Sequence, residues 1–361
     1  MPQKRVDILD SFRFLAIIAV LCFHYMCRWT APLYPGNLYP YGNFYGNLFK
    51  YGAKGVEFFF IISGFVISYT LENTPGPAAF FKNRFIRLFP PILFWSIVTY
   101  LVFITLDNHL IFPDAHELKN LLFSITFINP ELTSIIFKSD LHWINASYWS
   151  LWVEVQFYVL VAILYYTNRK SFFQNLLLIT ILLSLANYIP YPGLQYFNKL
   201  FNLSHYICYF TLGSVFHYLY KGERLRLISI KGICVFFIFL FQVYTSFPPV
   251  TRLLFVGMVI LFLLMIYKEK FLSYLNNPLF RRIGVISYSV YLAHESIGVL
   301  MINKYGGLLG KWSILAPWIV LVLVIVLAEM SYRFIEQKTA RFLKKQLFGS
   351  KVSAKSVSLS K

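Results

Sequence analysis

Three ionisable side chains lie inside apolar runs of this 361-residue chain: His24, Glu154 and His294. Charged or titratable groups are costly inside a membrane or a core, so each is a candidate for chemistry. An imidazole in such a place can take a proton from a hydroxyl, relay protons, or simply hydrogen-bond between helices. A carboxylate can orient that ring or bind a polar substrate. The first run, DSFRFLAIIAVLCFHYMCR (10–28), holds Asp10, Arg13 and His24 together. On a helix Arg13 and His24 would lie about 20° apart in azimuth and roughly 16 Å apart along the axis. Arg28 follows about one turn further on.

A second stretch, ASYWSLWVEVQFYVL (146–160), repeats Ser147, Ser150, Glu154 and Tyr158 at three- and four-residue steps, which predicts one polar stripe. Counted from Ala146, Glu154 would be roughly 12 Å deep in a core about 30 Å thick, near the level predicted for His24. A third, IGVISYSVYLAHES (283–296), puts Ser287, Tyr291 and His294 on one face, with His294 again near mid-membrane. A fourth, FFKNRFIRLFPP (80–91), brings Arg84 and Arg87 to one side of a helix. With Lys82 and Arg13 they would suit phosphate groups at an inner face. Ordinary positive-inside anchoring reads the same residues equally well.

The elements that must hold these residues are membrane helices. The chain is 58% hydrophobic, 20% aromatic and 13% charged, against roughly 25% charged residues in soluble domains. Its net charge of +18 is not a nucleic-acid signature, because the cations cluster between apolar runs rather than on one segment. A window of about 20 apolar residues gives about ten spans. They fall near 11–29, 54–72, 88–106, 146–166, 172–189, 203–220, 229–246, 251–267, 283–302 and 313–334. The fold class is thus an all-α, polytopic membrane helical bundle. Most Lys and Arg fall at Lys4–Arg5, Lys82–Arg87, Arg169–Lys170, Lys221–Lys231, Lys268–Arg282 and beyond Arg333, which places both termini in the cytoplasm.

Two segments on the opposite side are long. Residues 30–53 are rich in Tyr, Gly, Asn and Pro and read as an interfacial aromatic belt; stacking on sugar rings is the sharper alternative. Residues 107–145 carry LLFSITFIN, too short to span and therefore interfacial or re-entrant. The first apolar run carries Arg13 and His24 and lacks a small-residue cleavage site, so it reads as a retained helix. Cys22, Cys27, Cys208 and Cys234 lie in apolar stretches without paired spacing and read as small buried hydrophobes. No metal site is expected. The domain reading is a transmembrane domain over 1–340 and a basic, disordered cytoplasmic tail over 341–361.

Taken jointly, these motifs resemble the acyltransferase-3 family of membrane acyltransferases. The resemblance rests on Asp10-x-x-Arg13 with Phe23-His24, GVEFFFIISGF (55–65), Arg84-x-x-Arg87 with its prolines, SLWVEVQFY (150–158), SYSVYLAH (287–294) and Tyr332–Glu336. It implies transfer of an acyl group, usually acetyl, from cytoplasmic acyl-CoA to a hydroxyl of an envelope or exported glycan or glycolipid. It implies catalysis by His24, donor binding by Arg13, Arg84 and Arg87, and further site roles for Glu154 and His294. On the same resemblance Glu154 is grouped with His24 as catalytic, and Asp10, Ser150, Tyr291 and His294 are expected to bind substrate. Membrane lipids surround the chain, a separate extracytoplasmic partner is an option for the transfer, and the inner membrane is the implied location. One departure is visible: the family often has proline two residues after the second histidine, and here His294 is followed by Glu295-Ser296. The competing class, a proton-coupled transporter or flippase of a sugar-containing substrate, would use the same titratable groups. It often shows internal repeats, and the two halves of this sequence show no convincing match.

Overall fold

A computed structural model describes residues 6–29, 45, 48–107, 111–223, 236–241 and 248–348. The expectations for most of 30–53, for Cys234, for most of the span 229–246 and for 349–361 lie outside these residues. The described chain is helical with no strand, and it is an all-α polytopic membrane protein. Among the described residues, six stretches are long and apolar enough to cross a bilayer: Ile8–Arg28, Lys50–Glu72, Pro77–Leu106, Ala146–Thr167, Pro249–Tyr267 and Pro278–Phe348. The last contains two of the expected spans, separated by a short helix and a 3-10 segment.

The helices in order are α1 (Ile8–Phe23), α2 (Gly55–Glu72), α3 (Pro77–Leu106), α4 (Leu118–Ser124), α5 (Pro130–Phe137), α6 (Trp149–Thr167), α7 (Phe172–Ala186), α8 (Pro192–Leu200), α9 (Leu203–Tyr220) and α10 (236–241). They continue with α11 (Pro249–Tyr267), α12 (Pro278–Ala293), α13 (Val299–Tyr305), α14 (Ala316–Ser331) and α15 (Gln337–Phe348). α15 extends beyond residue 340, so the part of the expected tail that is described is helical. Two compact units divide the chain.

The first unit comprises residues 1–20, 51–75 and 149–285. Its centre is the crossing of α2 and α9, which two glycines make possible. A Cβ on Gly64 would lie 1.9 Å from the Phe210 carbonyl oxygen, and one on Gly213 would lie 2.0 Å from that of Ile61. In lipid, where apolar burial gives helices no preference for one another, such close backbone approach supplies the packing. Ser68 and Ser214 add a 2.9 Å hydroxyl bond beside it. Phe262 of α11 fills the space around this crossing, 4.6 Å from Phe216 and 5.4 Å from Phe12 between ring centroids.

The second unit comprises residues 21–50, 76–148 and 286–361. Three of its helical turns are π-helical: His24–Arg28, His294–Gly298 and Tyr332–Glu336. A π-turn inserts an extra residue and is frequent at functional sites. The segment 107–145 is a scaffold of short helices, none long enough to span. α4, built from the LLFS part of the apolar run, has 7 residues. Several of its polar groups pair within the segment. His116 Nε2 meets Asp107 Oδ2 at 3.0 Å, Asn120 Oδ1 accepts from the His142 amide at 2.9 Å, and Ser124 Oγ accepts from the Ile144 amide at 2.9 Å. These bonds set the path of the chain into Asn145 and the 3-10 turn Ala146–Tyr148.

Candidate active site

The second unit brings His24 and His294 together. Each is the first residue of a π-turn, and His24 Nδ1 lies 3.2 Å from His294 Nε2. The two turns are tied by Tyr25, whose hydroxyl donates to the His294 carbonyl at 2.9 Å. Gly298 makes room for it, since a Cβ there would stand 2.0 Å from the Tyr25 oxygen. His294 Nδ1 lies 2.6 Å from the Tyr291 carbonyl oxygen. A carbonyl only accepts, so Nδ1 of His294 carries a hydrogen. In a neutral pair Nε2 of His294 then accepts from Nδ1–H of His24. One arrangement satisfies all three groups, and it leaves Nε2 of His24 as the basic nitrogen.

That nitrogen faces a carboxylate. Glu295 Oε1 is 3.4 Å from His24 Nε2 and 3.6 Å from Arg28 Nε. The carboxylate is 2% exposed, whereas the Arg28 side chain is 46% exposed, so the cluster reaches the surface through Arg28. Glu295 Oε2 accepts from Ser147 Oγ at 2.5 Å. Ser147 is in turn set by Asn145, whose Oδ1 accepts from the Ser147 amide at 3.0 Å and whose Nδ2 donates to the Leu292 carbonyl at 2.9 Å. Tyr291 closes the ring by donating to the Ser147 carbonyl at 2.9 Å. The result is a base, a fixed orienting ring and a buried counter-charge in one place, the combination that proton abstraction from a hydroxyl requires.

The remaining candidates have other surroundings. Arg84 and Arg87 are on α3 in the second unit. Arg84 is buried with its guanidinium 5.6 Å from the Phe80 ring centroid, and Arg87 is exposed. α15 packs on this half of α3, where Lys82 Nζ donates to the Leu347 carbonyl at 3.0 Å. Asp10, Arg13, Ser150 and Glu154 are in the first unit. Asp10 is buried and pairs with Arg13 at 2.6 Å. Ser150 is buried. Glu154 Oε1 accepts from Ser63 Oγ at 2.9 Å and from Tyr158 OH at 2.6 Å. The predicted Glu154–Tyr158 step therefore forms. Ser147 leaves the predicted stripe, because α6 begins only at Trp149 and the residues before it turn as 3-10. Among the described residues no group of His, Cys, Asp and Glu could hold a metal ion.

The family model described as an acyltransferase domain matches residues 6–328. The chain belongs to the acyltransferase-3 family. It is also similar to the O-acetyltransferase OatA of Staphylococcus aureus strains NCTC 8325 / PS 47 and MRSA252, with 24% identity over 371 residues in each case. These alignments cover 91% of this chain and 56% of each relative, so the chain spans little more than half their length. No solved structure matches the chain.

For this acyltransferase-3 member, sequence reasoning missed Glu295, Arg28, Asn145 and Ser147 as parts of the histidine cluster. A signal for Glu295 was present: an acid directly after His294 in an otherwise apolar and hydroxylic run is expensive in a membrane. It was visible only as a departure from the family's usual residues. Arg28 and Ser147 were legible as polar but not as partners, because helical arithmetic at 100° per residue does not carry through a π-turn or a 3-10 turn.

Proposed function

We propose that the chain is a membrane O-acyltransferase. It transfers an acyl group, acetyl by family habit, from cytoplasmic acyl-CoA to a hydroxyl of a cell-envelope or exported glycan, with His24 as general base. The observation that carries this reading is the bonding order Tyr291 carbonyl, His294, His24, which puts the hydrogen of a neutral His24 on Nδ1 and makes Nε2 its basic nitrogen. Staphylococcal relatives named O-acetyltransferase support the same class.

The reaction then runs as follows. The acceptor oxygen attacks the thioester carbonyl carbon as its proton passes to His24 Nε2. The tetrahedral intermediate collapses, the carbon–sulfur bond breaks, and His24 returns the proton to the departing thiolate. Glu295 balances the positive charge on the ring while the proton resides there, and His294 holds the ring in register. Arg84 and Arg87 bind the phosphates of the donor through charge-assisted hydrogen bonds. Glu154 keeps its assignment as a catalytic residue, Arg13 as a donor-binding residue, and Asp10 and Ser150 as substrate-binding residues. Both termini are assigned to the cytoplasm on the distribution of Lys and Arg, and the protein to the inner membrane on its family resemblance.

The test uses purified protein with labelled acetyl-CoA. Wild-type protein should release CoA and form acetyl ester or acetate, and His24→Ala should abolish release while eluting as the same folded species. Full activity in His24→Ala removes His24 from the chemistry. A transporter using these residues as a proton relay would leave acetyl-CoA intact.

A further inference from the structure

α15 carries a surface that the transfer chemistry does not use. Its 12 residues, QKTARFLKKQLF, hold four cations and no acid. The helix packs on α3, where Lys82 Nζ donates to the Leu347 carbonyl at 3.0 Å and stands 5.5 Å from the Phe348 ring centroid. Ala340, Leu343 and Leu347 are half-buried and lie within about 60° of one another on one side of the helix. The opposite side, an arc of about 100°, presents Lys338, Arg341, Phe342 and Lys345, all exposed. It runs roughly 10 Å along the axis from Lys338 to Lys345. Phe334, about one turn earlier, adds a second ring, and Lys338 Nζ lies 6.0 Å from its centroid. Both rings are 60% exposed.

We infer that this stripe binds the anionic phospholipid surface of the membrane, with its rings among the acyl chains and its cations on the phosphates. Three kinds of surroundings could meet such a stripe, and the rings decide between them. Water would solvate the cations but leave both phenyl groups exposed without gain. A soluble polyphosphate would pair with the cations and likewise leave the rings in water. The boundary between headgroups and acyl chains takes up both, as it does for basic amphipathic helices that lie in the membrane plane. The apolar side of α15 is already spent on α3, so rings and cations share the outward side, and the lysine stems reach past the rings to the phosphates. The distribution of Lys and Arg assigns α15 to the cytoplasmic leaflet, whose anionic headgroups attract such residues. Each cation near that surface strengthens attachment about fivefold. Anionic lipid thereby holds α15 against the half of α3 that carries Arg84 and Arg87.

The test places the purified full-length protein in two kinds of nanodisc, one of phosphatidylcholine alone and one of equal parts phosphatidylcholine and phosphatidylglycerol. Amide hydrogen exchange over residues 337–348 is followed by mass spectrometry. Wild-type amides should exchange at least fivefold more slowly in the mixed discs, and the difference should shrink at high salt. The triple variant Lys338→Gln, Arg341→Gln, Lys345→Gln should exchange alike in both discs, and Phe342→Ser should keep only part of the slowing. Equal wild-type exchange in the two discs overturns the inference, and this comparison stands alone should the triple variant unwind α15. A difference that survives the triple variant, or that Phe342→Ser leaves untouched, does the same. Acetyl-CoA added to phosphatidylcholine discs should leave the exchange of α15 unchanged; slowing equal to that given by phosphatidylglycerol assigns the stripe to a soluble polyphosphate instead.

Discussion

His294→Phe is the substitution that most directly tests the bonding order of the histidine pair. The phenyl ring fills the buried volume but cannot accept from His24 Nδ1, now bonded at 3.2 Å. The His24 hydrogen is then free to move to Nε2, where Glu295 Oε1 stands 3.4 Å away. In the wild type the Nδ1–H bond to His294, with the buried acceptor it satisfies there, is worth about 3 kcal/mol, against about 2 kcal/mol for a bond from Nε2–H to the charged Glu295 acceptor. The phenyl ring removes the first and leaves the second, so the wrong tautomer becomes favoured by about 2 kcal/mol and kcat falls roughly thirtyfold. Because the proposed function puts the donor phosphates at Arg84 and Arg87, KM for acetyl-CoA should change little. Adding Glu295→Leu removes the group that traps the wrong tautomer, so the double variant should be faster than His294→Phe alone. Steady-state CoA release for wild type, both single variants and the double variant gives the full cycle. A His294→Phe kcat within threefold of wild type, or strictly additive losses, refutes the tautomer argument.

Two further outcomes follow from the arginines and from the helix crossing. Arg84→Ala or Arg87→Ala should weaken acetyl-CoA binding about tenfold or more by titration calorimetry, with thermal stability little altered; unchanged affinity in both returns them to topology signals. Gly213→Val should lower the stability of the purified protein by about 3 kcal/mol or prevent its accumulation, since a Cβ would meet the Ile61 carbonyl oxygen at 2.0 Å; a wild-type melting profile contradicts the packing account.

Hydropathy alone makes the class of fold legible, because lipid demands long apolar helices whatever their neighbours. The two histidines of the candidate site were legible for the same reason: His24 and His294 stand out as expensive groups in apolar runs. Their partnership was less so. Similar predicted depth is necessary for two helices to bring side chains into contact, but rotation and helix-to-helix order are set by packing that one sequence does not reveal. Glu154 illustrates this. Its predicted depth carried no sign of Ser63 on α2, which donates to its carboxylate within the first unit. Gly64 and Gly213 carried no visible sign of marking a helix crossing, since small residues signal contact only once the facing backbone is known. The short helices of 107–145 were legible as non-spanning, but the bonds through Asn120, Ser124 and Asn145 join residues far apart in sequence.

The wide turns at His24–Arg28 and His294–Gly298 bear on how this chain must be aligned with its relatives. Each contains one residue more than an ordinary helical turn, so losing a residue there would tighten the helix and swing everything beyond it by about 100°. A gap-free comparison with a protein lacking such a turn would run one position out of step beyond the histidine, pairing outward-facing residues with inward-facing ones. Single-residue insertions and deletions next to the two histidines are therefore the changes most able to re-aim the cluster while leaving its composition intact.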